Sequence, residues 1–128
     1  MYSAVTHDIR VTVMPRFLPE RSSPGQYVWS YTIEVANLGA RTVRLVSRHW
    51  RICDARGHVQ EVHGEGVVGE QPWLAPGERF EYTSGAPLTT PSGMMSGSYG
   101  MVADDGTAFE VEIPAFSLDS PDERRVVN

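Results

Sequence analysis

The chain has 128 residues, 41% of them hydrophobic and 21% charged, with a formal net charge of -5. That length suits one domain with its own core, and the balance is far from the charge-rich, apolar-poor profile of a disordered chain. All eleven basic side chains are arginines, which excludes a lysine Schiff base and the lysine of a phosphate-binding P-loop, while the acidic total argues against a nucleic-acid backbone as partner.

Cys53 is the single cysteine, so no intramolecular disulfide forms. The opening MYSAVTHDIR lacks the apolar stretch of a secretory signal, and no apolar run has the length to cross a bilayer. The expected location is the cytoplasm, with no membrane partner.

Alternation of two, the strand period, runs through the chain, and no segment follows a helical period. HDIRVTV groups Ile9, Val11 and Val13 on one face. After the turn signal SSPGQ, YVWSYTIEV groups Trp29, Tyr31, Ile33 and Val35, with Ser30, Thr32 and Glu34 opposite. ANLGA is the next connection. In RTVRLVSRHWRIC the apolar parity starts on Val43 and Leu45 and ends on Val46, Trp50 and Ile52, as an inserted residue near Ser47 produces, so the spacing predicts a β-bulge. DARG closes a hairpin into HVQEV; LAPGE precedes RFEYTS; and DDG joins SYGMVA to AFEVEIP, where Phe109, Val111 and Ile113 oppose Glu110 and Glu112. These are about seven strands with closely spaced turns. They predict an all-β, immunoglobulin-like or fibronectin type III-like antiparallel sandwich, with a closed barrel as the alternative. The domain is expected over residues 1–118, followed by a polar, flexible tail at 119–128.

Between HVQEV and LAPGE lies HGEGVVGEQP, with a GxGxxG on Gly64, Gly66 and Gly69. A dinucleotide fingerprint needs a helix behind these glycines to aim its amides at a pyrophosphate, and Pro72 and Pro76 interrupt any helix opening here. Without a helix, two readings stay open. The glycines let the chain turn sharply, with Val67 and Val68 dipping into the core, or their amides form a small anion-binding nest.

EVHGE sets Glu61, His63 and Glu65 at alternate positions, the one arrangement with metal-ligand character, although two carboxylates and an imidazole on an exposed strand need no ion. His58 falls on the opposite face from His63, and His7 and His49 read as packed or surface histidines. Arg41, Arg44, Arg48, Arg51 and Arg56 gather around the third strand, where they either pair with glutamates or, through Arg44, Arg48 and Arg51, form a docking patch for an acidic group. Cys53 ends an apolar strand as a structural thiol would, and no serine sits in a nucleophile elbow. No catalytic assembly and no cofactor are expected.

The stretch HGEGVVGEQPWLAPGERFEYTSGAPLTTPSGMMSGSYGM, with SRHWRICDARGHVQEV before it and FEVEIPAFSL after it, resembles the bacterial ApaG family over nearly the whole chain. The resemblance implies a fibronectin type III-like fold and an interaction role, because similar domains end larger eukaryotic proteins, including an F-box subunit of ubiquitin ligases and a polymerase-delta-interacting protein. It implies an indirect link to cobalt resistance and magnesium efflux, and an association with a diadenosine tetraphosphate hydrolase. It also marks His63, Gly64, Gly66 and Gly69, followed by Gln71 and Pro72, as the family's candidate pyrophosphate-binding motif. The expected function is therefore a non-catalytic binding module. Its partner is an unidentified protein or a second copy through an exposed strand edge; the alternative is a sensor that binds phosphate or nucleotide weakly at the glycine loop.

Overall fold

Alternating burial along each strand turns the period-two pattern into two apolar faces that close on one another. The computed structural model describes residues 1–121, and the expected tail beyond Pro121 lies outside them. The strands are β1 Tyr2–Thr6, β2 Ile9–Phe17, β3 Tyr27–Asn37, β4 Val43–Asp54, β5 Val59–Glu65, β6 Trp73–Leu74, β7 Arg79–Leu88, β8 Gly93–Ala103 and β9 Ala108–Leu118. One short 3-10 turn, Pro19–Arg21, lies in the connection between β2 and β3. The first sheet has the order β1-β2-β3-β7, and the second β5-β4-β8-β9 with β6 pairing the start of β4. All pairings are antiparallel.

Among the described residues nine strands replace the expected seven. β1 was hidden because its turn into β2 is His7-Asp8, both at positive φ (48° and 63°), a two-residue hairpin made without the Asn or Gly that advertises one. β6 is two residues long, too short to show a period. Asp119 and Ser120 continue the packing past residue 118: the Asp119 carbonyl accepts the Trp29 indole N–H at 2.8 Å, and buried Ser120 donates to the Pro91 carbonyl at 2.6 Å.

The expected bulge is present. The register of β4 against β8 shifts between Leu45 and Ser47, leaving Val46 as the extra residue. Val43 and Leu45 are buried before it, and Trp50 is buried after it on the opposite parity. The inner faces meet in one core, with Trp29, Tyr99 and Phe116 its largest fully buried side chains.

The two long sides of the sandwich differ. On one, β9 runs against β1 and β2; the Tyr2 and Ser117 hydroxyls bond at 3.1 Å, and Thr6 Oγ1 accepts the Glu112 amide at 3.1 Å. On the other, the edge strands β5 and β7 are not held together in this way. That side is open.

Candidate functional site

The glycine motif sits at the end of the open side, and each of its parts has a structural cause. Gly66 donates to the Val46 carbonyl at 2.8 Å and Gln71 Nε2 donates to the same carbonyl at 2.8 Å, so the bulge residue is the anchor of the loop. Val67 and Glu70 exchange two backbone bonds of 2.8 and 2.9 Å, closing a two-residue turn on Val68 (φ 43°) and Gly69 (φ 81°). Positive φ at both central residues is the type I′ requirement. Gly66 is itself at φ 61°, and a Cβ there would lie 2.2 Å from the Glu70 carbonyl oxygen. Val67 is buried in the core as expected, but Val68 points outward and is 56% exposed, because the turn inverts its direction.

Arg48 completes the loop. It pairs in register with Gly64, and a Cβ on Gly64 would stand 2.6 Å from the guanidinium carbon. The missing side chain is the space the arginine occupies. Arg48 Nη1 donates to the carbonyls of Glu65 (3.0 Å) and Gly66 (2.9 Å). The backbone around Gly66 thus turns its carbonyls toward a cation, while the Gly66 and Val67 amides are already bonded within the protein. His63 faces away from Arg48 on the outer side of β5.

Between β5 and β7 this arrangement opens a cleft of about 410 Å³. Trp50, Val62 and Arg48 line its β4–β5 wall, Tyr31 and Tyr82 its β3–β7 wall, and Val67 and Val68 its end. Tyr31 and Trp50 meet edge to face at 5.3 Å. The Tyr82 hydroxyl bonds that of Tyr99 in the core, and burial pushes both hydroxyls well above the ordinary tyrosine range, so both are protonated at neutral pH. Among the described residues no aspartate or glutamate lines the cleft, and no carboxylate is within ion-pair distance of Arg48.

The three arginines expected to form one patch are split: alternation sets Arg48 opposite to Arg51, and the bulge sets it opposite to Arg44. Arg48 follows Trp50 to the inner side, whereas Arg44 and Arg51 face outward. Arg44 donates to the Gln71 carbonyl at 3.0 Å and lies over the Trp73 ring at 5.3 Å. Arg51 is exposed opposite Glu61. Arg41 pairs with Asp105 at 2.7 Å, and Arg56 is exposed in the β4–β5 turn.

On the outer face of β4 and β5, His63 stacks on His49 with ring centres 4.2 Å apart, and His49 Nε2 is 3.1 Å from Glu61 Oε1. Nothing in the bare sequence marks this cross-strand imidazole pair, because positions 49 and 63 become neighbours only through the register of β4 and β5. Among the described residues no group of three or more His, Cys, Asp or Glu side chains is arranged to hold a metal ion; Glu61, His63 and Glu65 share a strand face without converging. His58 pairs with Asp54 at 3.3 Å, and His7 meets the Phe109 ring edge at 5.7 Å. Cys53 is half-buried, its thiol 3.6 Å from the Asp54 carbonyl. No helix among the described residues is long and apolar enough to cross a membrane.

The ApaG domain family matches residues 18–103, which include the whole cleft-lining part of β3 through β8. A protein named Protein ApaG from Xanthobacter autotrophicus is 62% identical over 130 aligned residues, covering all of both chains, and one of the same name from a Bradyrhizobium species is 64% identical with the same coverage. The crystal structure of a putative ApaA protein from Bordetella pertussis superposes with a TM-score of 0.87 at 52% identity, covering 89% of this chain and 94% of that one. By both sequence and fold, the chain belongs to the ApaG family.

Proposed function

We propose that this chain is a non-catalytic cytoplasmic binding module that takes a segment of a partner protein into the cleft between β5 and β7. The observation that carries the reading is the open side itself: an aromatic-walled cleft of about 410 Å³ flanked by two sheet edges. Edge strands offer unpaired main-chain groups to an incoming chain, and adjacent pockets select its side chains. The link to cobalt resistance and magnesium efflux is then indirect, through the partner. Leaving out β1 and β6, the remaining strands divide three and four between the sheets, which supports the fibronectin type III-like type.

Photocrosslinking tests this in cells. A photoreactive phenylalanine analogue at Gln60, on the cleft, is expected to capture a defined partner protein, and one at Thr12, on the outer face of the first sheet, is not. Equal capture at both positions, or none at Gln60, contradicts the proposal.

One observation favours a second reading, a pyrophosphate sensor: Arg48 lies against the glycine loop, where such a ligand needs a cation. It ranks second because the Gly66 and Val67 amides are bonded internally. Titrating labelled protein with pyrophosphate separates the two. Saturable amide shifts centred on Gly66 support the sensor, and their absence at about millimolar ligand, where binding contributes only about 4 kcal/mol, removes it.

A further inference from the structure

Resting on the reading of the cleft as a protein-binding site, we infer that its occupant is an extended peptide segment with a bulky apolar side chain next to a carboxylate, and that Val68 is the residue at the lip that selects it. The carboxylate follows from charge. In a chain of net charge -5, the described residues that line the cleft carry one formal charge, the Arg48 cation, and no acidic group. Two backbone carbonyls orient this guanidinium through Nη1, and no protein acceptor takes its Nε or Nη2 among the described residues. A planar fork held this way, beside aromatic walls, is suited to a carboxylate attached to an apolar group. An extended chain, rather than a free acid, is what two flanking sheet edges accommodate.

Val68 supplies the second, independent observation. A type I′ turn favours Asn, Asp or Gly at its first central position, and a β-branched residue at φ 43° is a backbone outlier. The side chain gains little in return from the fold, since it is 56% exposed. What it contributes is an apolar surface at the end of the cleft that Arg48 also lines. Strained residues of this kind collect at ligand contacts. Asn at this position relieves the strain and removes the apolar surface, so the two roles of Val68 separate in one substitution.

The test is panning a phage-displayed random peptide library on the full chain, followed by titration of a synthetic selected peptide. Enriched peptides are expected to share Asp or Glu beside a bulky apolar residue and to shift the amides of Gly64, Val68 and β7. Changing that acidic residue to its amide weakens binding about tenfold or more, and Val68→Asn does the same while raising Tm. Cleft-bound peptides without an acidic residue, or affinity unchanged by Val68→Asn, overturn this inference and leave the cleft as a protein-binding site. Failure to enrich any peptide, or shifts confined to other surfaces, overturns both.

Discussion

The two long sides of this sandwich are built from similar strands but close differently. Along the β1–β9 side, the rings of Tyr2 and Phe116 meet at 6.1 Å and side-chain bonds tie the sheets together. Along the β5–β7 side, no side-chain bond among the described residues ties the edge strands; the gap between them is floored by the buried rings of Trp50, Tyr31 and Tyr82, and the glycine loop with Arg48 caps its end. Burial of apolar area is where folding free energy comes from, and a surface left open for a ligand contributes less of it. The comparison therefore predicts that substitutions on the closed side change stability alone, and that those on the open side change binding by more than their cost in stability.

Ile113→Ala, in β9 on the closed side and 1% exposed, is expected to have the largest effect, a loss of about 2–5 kcal/mol in urea unfolding. Peptide affinity of the folded fraction stays at the parental value; a parallel loss of affinity breaks the separation of the two sides. Gly66→Ala follows, at about 1–3 kcal/mol, because it combines a positive φ with a Cβ directed at the Glu70 carbonyl. It also detaches the loop from Val46 and abolishes peptide binding, measured by the same titration.

Gly64→Ala is smaller in stability, about 1 kcal/mol, since the obstructed atoms belong to the flexible end of Arg48. Its effect on affinity exceeds that cost, because the guanidinium is displaced from the cleft. An affinity loss no greater than the stability loss contradicts the role assigned to Arg48.

Acid stability provides a control at a residue that does not line the cleft. Desolvation alone raises the Asp54 pKa, but the amides of His58 and Arg56 and the nearby His58 ring outweigh it and hold the carboxyl below its ordinary 3.8. A depressed folded pKa adds stability that is present above 3.8 and lost as pH falls through the folded value. Asp54→Asn is expected to flatten the stability profile in that acid range, with peptide affinity at neutral pH unaffected; an unaltered acid profile contradicts it.

Much of the fold was legible because alternation reports burial directly. Val11, Ile33 and Val111 show their inward faces in the bare sequence, and the changed parity between Leu45 and Trp50 announced the bulge. The short, irregular pieces were not legible. β6 has no period, and the His7-Asp8 turn uses residues whose positive φ depends on the pairing they join.

The candidate site was legible only in part, since its glycines are local in sequence and their reasons are not. Gly64 is explained by Arg48 across the sheet and Gly66 by Glu70; Arg48 parts from Arg51 by plain alternation and from Arg44 because one inserted residue turns Arg48 inward. His49 and His63 became neighbours only through register. The outward-facing Val68 differs for the same reason: a run of two valines reads as core, and the turn that divides them is decided by the bonds between Val67 and Glu70.

The most direct test of the open side as the binding side is the smallest change, Val68→Asn, measured for Tm and for affinity to the selected peptide on the same sample. The expected result is a gain of about 1 kcal/mol in stability, from relief of the strained turn, together with an affinity at least about tenfold weaker. Greater stability with undiminished affinity would contradict it and return Val68 to an accident of the turn.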